Sequence, residues 1–255
     1  MYLYIYDTFL NDKKFNQILT KIESRLNDLD IKGKICRLNL LKNLREIIED
    51  SVEGGVNTIV AVGDDTTFSK IINCVINQEV IIGYIPVNKK SKIAEILGIP
   101  INEQACDILA QRIIKKIDIA RINNQYFVDS AEINPRLNRG QKIKIKFKNF
   151  EITPIKNNII RFCNLGALAD NQGYKCNPSD GYLETIITPI SKKWLWQAKK
   201  IEKQSVFPFT KVKIMAVNNP IVIKVDEQSI IKTPAEIEII PQKLKIIVGS
   251  QRKFD

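Results

Sequence analysis

The segment Gly63-Asp-Asp-Thr-Thr67 places two carboxylates and two hydroxyls directly after a glycine. The apolar run 58–62 before it has the composition of a buried strand. A helix is predicted after it, with the apolar face Phe68, Ile71, Ile72 and Val75. Strand, turn and helix together can hold a phosphate, because the backbone N–H groups and the dipole at a helix N-terminus favour anions. Without a ligand, Asp65 and Thr67 would only cap the helix, and the five residues leave both interpretations open.

The elements that must position this turn alternate between strands and helices through the first half of the chain. Apolar runs predict strands at 2–6, 31–38, 58–62 and 80–85. Residues at helical spacing predict helices between them, and two more helices near 93–97 and 105–113. This alternation is typical of a parallel sheet covered by helices on both faces, a three-layer α/β domain. Ligands of such sheets bind beyond the carboxyl ends of the strands, where the turn at Gly63 is expected.

The second half of the chain has a different period. Isoleucine alternates with lysine in KIKIKF, residues 142–147, as in a strand with one face in water. Further strands are predicted near 150–155, 158–163, 182–188, 211–216, 221–226, 236–240 and 243–248, with a helix at 191–201. We therefore expect an α/β domain at 1–120 and an antiparallel β-sandwich domain at 121–255, whose last strand can return to the first domain.

Charge is distributed unevenly along the 255 residues. The formal net charge is +11, and residues 121–255 carry all of it, with 23 basic and 12 acidic residues. A basic half favours an anionic partner such as a phosphorylated ligand, an acidic membrane surface or a nucleic acid. Lysine enrichment for solubility is the alternative. No basic-aromatic module supports nucleic-acid binding, so we do not expect that partner.

Composition also excludes several kinds of site. The chain contains no histidine, which rules out a Ser-His-Asp triad and a histidine-rich metal site. Its five cysteines are scattered without a CxxC pair, which predicts buried free thiols and a reducing cytoplasm. We see no signal peptide and no run of apolar residues long enough to span a bilayer.

Several segments resemble, in order, the motifs of the diacylglycerol kinase and sphingosine kinase family. IVAVGDDTTFSKIINCV is similar to its I-V-x-x-G-G-D-G-T-x-x-E-V-x-N motif. IPVNKKSKIAEILGIP, residues 85–100, is similar to I-P-x-G-T-x-N-D-F-A-R-x-L-G-I-P. Weaker similarities follow at 117–128, 177–188, 217–228 and 233–248. The resemblance implies an α/β nucleotide domain joined to a β-sandwich, with the active site in a cleft.

The resemblance also implies site residues and cofactors. It places ATP and Mg²⁺ at the site and implies Asp226 and Asp65 as catalytic carboxylates, with Asp180 near a metal. The residues implied to bind the cofactor are Gly63, Asp64, Asp65, Thr66, Thr67, Asn88 and Lys89. The sequence departs from the pattern because Asp64 and Thr66 stand where the family has glycines, and no glycine follows Phe127 before Pro135.

The resemblance implies a divergent ATP-dependent lipid kinase. It would transfer the γ-phosphoryl group of ATP to a lipid hydroxyl at an anionic membrane surface, as a cytoplasmic protein peripheral to the inner face of the membrane. The main alternative is a catalytically impaired relic that binds a ligand or a partner. A soluble kinase resembling NAD kinases is a further alternative, and a homodimer is compatible with the sequence.

Overall fold

The structure is a computed structural model that describes residues 1–39, 43–87, 91–154, 158–165, 176–190 and 204–254. The chain divides into two compact units. Unit 1 comprises Met1–Ile117 and Gln242–Asp255, and unit 2 comprises Asp118–Pro241. The helix predicted at 191–201 lies outside the described residues.

Unit 1 contains a parallel sheet and the helices that pack against it. Its strands are β1 (Tyr2–Tyr6), β2 (Gly33–Arg37), β3 (Thr58–Gly63) and β4 (Ile81–Pro86), in the order β2-β1-β3-β4, and the end of a much later strand adds beside β4. The helices are α1 (Asn16–Asp28), α2 (Leu44–Glu53), α3 (Asp65–Val75), α4 (Lys92–Leu97) and α5 (Ala105–Gln111). Short 3-10 segments occur at Thr8–Asn11, Lys13–Phe15 and Asn102–Gln104.

The apolar pattern of the sequence explains the core of unit 1. Every residue of β3 is buried, as expected for a strand covered on both faces. The predicted apolar face of α3 is buried as well, from Phe68 to Val75. α2 ends at Glu53 with Gly54 as its C-cap.

Unit 2 is a β-sandwich. Its strands are β5 (Ile114–Ile122, which begins in unit 1), β6 (Gln125–Phe127), β7 (Ser130–Ile133), β8 (Ile143–Lys146), β9 (Glu151–Ile152), β10 (Asn158–Cys163), β11 (Leu183–Pro189), β12 (Ser205–Phe209), β13 (Lys211–Ala216), β14 (Val222–Val225), β15 (Ser229–Lys232) and β16 (Ala235–Ile247, which ends in unit 1). One sheet has the order β9-β8-β13-β16, with β5 and β6 attached, and the other has the order β12-β11-β10-β7-β14-β15. Side chains of both sheets, such as Ile145, Ile214, Phe162 and Ile223, share one core. The predicted fold class, an α/β part and an antiparallel β-sandwich, is confirmed.

The end of the chain corrects one prediction. Two strands were expected at 236–240 and 243–248, but the structure has the single strand β16. Residues 235–238 of β16 pair with β13, and Lys245 and Ile246 pair with β4. Pro241 lies between these two stretches.

All five cysteines are free thiols, as predicted. Cys163 is buried and Cys74 is half-buried. Burial raises the pKa of the Cys106 thiol to about 12, so this thiol stays protonated at neutral pH. None of the helices among the described residues is long and apolar enough to cross a bilayer.

Candidate functional site

The turn after β3 lies where three parallel strands end. Asp7, directly after β1, donates its backbone N–H to the carbonyl oxygen of Val62 at 3.0 Å. Val87, directly after β4, donates to the carbonyl oxygen of Gly63 at 2.8 Å. These hydrogen bonds align the carboxyl ends of β1, β3 and β4, the edge at which sheets of this kind bind ligands.

Asp64 is the N-cap of α3 and forms a capping box with Thr67. The Asp64 carboxylate accepts from the Thr67 backbone N–H at 3.0 Å, and the Thr67 hydroxyl oxygen accepts from the Asp64 backbone N–H at 3.2 Å. The prediction that Asp65 caps the helix is wrong, because β3 continues through Gly63 and α3 begins at Asp65 itself. The cap role predicted for Thr67 is confirmed.

The capping box changes what this helix N-terminus can offer to a phosphate. The N–H group of Thr67 would face an incoming anion, but it already holds the Asp64 carboxylate. Asp64 is only half-buried, so its negative charge remains at the mouth of the turn. The chain therefore supplies its own anion at the position where the resemblance implies a nucleotide phosphate.

Thr67 connects this turn to the end of β1. Its side chain is buried, and its hydroxyl lies 2.8 Å from Asp7 Oδ2 and 3.1 Å from Asp64 Oδ1. Gly63 must lack a side chain for this arrangement, since a Cβ there would lie 2.3 Å from Thr67 Oγ1 and 2.9 Å from Thr67 Cβ. The glycine retained at position 63 thus makes room for the Thr67 hydroxyl.

Asp65 joins the first turn of α3 to the start of α4. Its Oδ1 accepts from the Tyr84 hydroxyl at 3.0 Å and from the Ser91 hydroxyl, and its Oδ2 accepts from the Lys92 backbone N–H at 3.1 Å. Ser91 is the N-cap of α4 and accepts from Ala94 N–H at 2.8 Å. Burial and the neighbouring Asp65 charge raise the pKa of Tyr84, so its hydroxyl stays protonated and donates. Asp65 therefore links the two motifs that the resemblance assigns to nucleotide binding.

The structure describes only one of the other residues predicted to bind the cofactor. Thr66 is half-buried on the first turn of α3. Asn88 and Lys89 lie outside the described residues, between Val87 and Ser91. Their role in cofactor binding stays a prediction.

Asp180 lies in an exposed turn of unit 2. Its carboxylate accepts from the Tyr182 backbone N–H at 2.9 Å, and Gly181 between them has φ +79°. Across the described ranges, no group of three or more acidic or cysteine side chains is arranged to hold a metal ion. A magnesium-bound nucleotide needs only one or two protein carboxylates, so a single exposed carboxylate such as Asp180 still fits the donor chemistry.

Asp118 was missed from the sequence, although it is a buried carboxylate that organises the Asp180 turn. Its Oδ2 accepts from Gly181 N–H at 2.8 Å, and its backbone N–H donates to the Pro178 carbonyl oxygen at 2.6 Å. Asn164 donates to the Asp118 carbonyl oxygen at 3.0 Å. A signal was available, since an acidic residue stands among apolar residues in IDIA, 117–120.

Asp226 lies in the tight turn between β14 and β15. Its Oδ1 accepts from the backbone N–H groups of Asp129 (2.9 Å) and Ser130 (3.1 Å), and its Oδ2 accepts from that of Val128 (3.0 Å). Asp226 and Glu227 have φ +44° and +58°, and Gln228 N–H donates to the Val225 carbonyl oxygen at 2.9 Å. Positive φ at both central residues is the geometry of a type I′ hairpin turn. The half-buried carboxylate therefore anchors the segment that follows β6.

Comparison with known proteins finds a family model that matches the first part of the chain. Residues 2–122 match the family model of the diacylglycerol kinase catalytic domain. A diacylglycerol kinase of Bacillus subtilis (strain 168) is 32% identical over 77 residues, which are 29% of this chain and 25% of that relative. The matched segment thus spans about a quarter of the relative's length. The resemblance inferred from the motifs is confirmed.

Solved structures with low sequence identity show the fold of the chain. A diacylglycerol kinase from Bacillus anthracis str. Sterne has a TM-score of 0.79 at 18% identity, covering 98% of this chain and 97% of that chain. An NAD kinase from Archaeoglobus fulgidus in complex with ATP has a TM-score of 0.62 at 14% identity, covering 99% and 95%. The chain shares the fold of both kinases over nearly its whole length.

Proposed function

We propose that this chain, whose residues 2–122 match the diacylglycerol kinase catalytic domain, is a divergent ATP-dependent lipid kinase. The reaction would transfer the γ-phosphoryl group of ATP to the hydroxyl of a lipid, in the cleft that the resemblance implies. The observation that carries the proposal is the convergence of Gly63, Asp65 and Thr67 at the carboxyl ends of β1, β3 and β4, inside the matched domain.

In this proposal the residues from Gly63 to Thr67 face the nucleotide phosphates, and Asn88 and Lys89, which precede α4 in the sequence, also bind them. Asp65 is a positioning residue, because its carboxylate holds Ser91 and Lys92 and so fixes the start of α4. Lys89 would contribute as a point charge on a phosphate. The two motifs act together only while Asp65 connects them.

Phosphoryl transfer requires few chemical groups from the protein. The phosphorus–oxygen bond to ADP breaks, a bond to the lipid oxygen forms, and the proton of the lipid hydroxyl moves to a carboxylate. We assign Asp226 as that carboxylate, with Asp65 as the second carboxylate of the site and Asp180 as the residue near a metal. Mg²⁺, when bound, would neutralise the charge that develops on the phosphate oxygens.

One observation favours the alternative of an impaired relative that binds a ligand or a partner. The Asp64 carboxylate occupies the Thr67 N–H group at the helix N-terminus and places a negative charge where the family has a glycine. Two unit charges 4 Å apart repel by roughly 4 kcal/mol at an effective dielectric constant of 20, and by about 1 kcal/mol in bulk water. Nucleotide affinity is therefore expected to be low, whether or not transfer still occurs.

Phosphoryl transfer to lipid tests the proposed function. Purified protein should move the label of γ-labelled ATP, with Mg²⁺, into diacylglycerol dispersed in anionic mixed micelles, and not into NAD. Ceramide and a long-chain base, offered in parallel, would identify the substrate class. Label in NAD alone would replace the proposal with a soluble nucleotide kinase. Label in none of the substrates, with ATP binding retained, would favour the impaired alternative.

A further inference from the structure

The outer face of β8 and β13 in unit 2 carries a row of lysines. Strand alternation turns Ile145, Phe147 and Ile214 into the core of the sandwich and the residues between them outward. We call this outward side the lysine face, and it consists of Lys142, Lys144, Lys146, Lys148, Lys211 and Lys213. All six lysines are exposed.

The acidic residues of the same sheet neutralise only part of the lysine face. Lys144 pairs with Glu151 at 3.2 Å, Lys213 with Glu236 at 3.2 Å and Lys211 with Glu238 at 3.3 Å. Within the part of the chain that the structure describes, Lys142, Lys146 and Lys148 form no ion pair.

The pairing of the strands also places like charges together. Lys146 on β8 lies directly opposite Lys213 on β13, while Glu151 on β9 lies opposite Lys146 on its other side and offsets part of the repulsion. Like charges in opposite positions of an antiparallel pair destabilise a sheet. An external anion on this face would relieve that repulsion.

An exposed aromatic ring lies in the loop that follows β8. Phe150 is in the four-residue loop 147–150 between β8 and β9, closed by the Phe147 N–H donating to the Phe150 carbonyl oxygen at 2.9 Å. Its ring stacks on Phe147 with centroids 4.5 Å apart and lies 6.1 Å from Phe207, yet Phe150 remains 47% exposed. Lys148 and Asn149 beside it are exposed too. The ring is thus held in place by aromatic neighbours while much of its surface faces solvent.

The combination of charge and exposed apolar surface favours a lipid membrane as the partner. A second apolar side chain, Met215, is 37% exposed on the lysine face and lies opposite Lys144. Lysines attract the anionic lipids of a membrane leaflet, and an exposed aromatic ring gains by entering the region between head groups and acyl chains. We propose that the lysine face and Phe150 dock unit 2 on the surface of an anionic lipid bilayer. This inference rests on the proposed function, because a lipid kinase must reach a substrate held in a membrane.

Sedimentation with vesicles tests the docking surface without catalysis. The full chain is mixed with phosphatidylcholine vesicles that contain about one third phosphatidylglycerol, or none, in the absence of ATP and diacylglycerol. We expect binding to the anionic vesicles only, weakening as salt is raised. Lys146→Glu with Lys148→Glu should weaken binding by at least about twentyfold, since each lysine near an anionic leaflet contributes about fivefold. Phe150→Ser should weaken it about tenfold.

Matched changes elsewhere on unit 2 serve as controls. Lys224 and Lys232 are exposed on β14 and β15 of the other sheet, and their double change to glutamate alters the net charge equally. Leu137 is 59% exposed in a turn, so Leu137→Ser matches the aromatic variant. Both controls should bind like the wild-type protein.

Three results would overturn the docking surface. The first is that the wild-type protein does not bind anionic vesicles. The second is that both test variants bind as tightly as the wild-type protein. The third is that the control variants lose as much affinity as the test variants. A different outcome would assign the lysine face to nucleic acid. In that outcome the wild-type protein binds no vesicles but binds a single-stranded oligonucleotide. Lys146→Glu with Lys148→Glu would abolish that binding, and Phe150→Ser would leave it intact. Failure here leaves ATP turnover measurable in detergent micelles, so it is distinguishable from failure of the proposed kinase activity.

Discussion

Asp64→Asn should bind metal-free ATP at least about fivefold more tightly than the wild-type protein, with an upper bound of about a thousandfold. The change removes the negative charge at the N-terminus of α3, where the wild-type carboxylate holds the Thr67 N–H group. Asparagine caps a helix as well as aspartate does, so the free energy of unfolding should change little. Asp64→Gly should act in the same direction, because it also lets the backbone approach the phosphates. Isothermal titration calorimetry measures the affinity.

Asp12→Asn is the matched control for this comparison. Asp12 is also an N-cap carboxylate, accepting from Lys14 N–H at 3.1 Å at the start of a 3-10 segment, but it lies outside the turn after β3. Its variant should bind ATP like the wild-type protein. Weaker binding of metal-free ATP by Asp64→Asn would show that Asp64 is a ligand for the nucleotide and contradict our account of it as a competing anion.

Asp226→Ala should lower the free energy of unfolding by about 3 kcal/mol. The substitution leaves the N–H groups of Val128, Asp129 and Ser130 without their carboxylate acceptor. Hydrogen bonds to a charged group contribute about 1.5–3 kcal/mol each, and water can replace part of that at a half-buried position. Asp226→Asn should lose less, because its single carbonyl oxygen can still accept. Urea denaturation of the variants measures these differences.

The neighbouring residue supplies the control for Asp226. Glu227 has φ +58°, which a glycine adopts without strain, so Glu227→Gly should be neutral or stabilise by up to about 1 kcal/mol. Unchanged stability of Asp226→Ala would contradict the anchoring role.

If the chain is an active kinase, kcat of folded Asp226→Asn should fall by about 10²–10⁴-fold, as expected for the loss of a proton acceptor.

Periodicity alone predicted much of this fold. The buried run of β3, the apolar face of α3 and the alternation of lysine and isoleucine in β8 each depend on neighbours in the chain, which the sequence shows directly. Helix boundaries are less certain by a residue or two, which is why the cap was assigned to Asp65 instead of Asp64.

Contacts between distant segments could not be predicted from periodicity. Asp65 meets Ser91 and Lys92, Asp118 meets Gly181, and Asp226 meets Val128, all across long separations in sequence. The residue types permitted these partners but did not select them. The motif resemblance implied Asp65 and Asp226 as catalytic residues. The positioning role of the Asp65 carboxylate and the anchoring role of the Asp226 carboxylate are visible only in the structure.

Binding of the ATP phosphates at the turn from Gly63 to Thr67 is the step on which the proposed function depends. Its most direct test is the stability of the protein with ATP and Mg²⁺, measured by thermal unfolding in the wild-type chain and in Asp65→Ala, each against its own ligand-free baseline. A nucleotide at a hundred times its dissociation constant should stabilise the wild-type protein by about 2.7 kcal/mol, and Asp65→Ala should lose that gain. No stabilisation of the wild-type protein by several millimolar ATP and Mg²⁺, or an equal gain in Asp65→Ala, would contradict it.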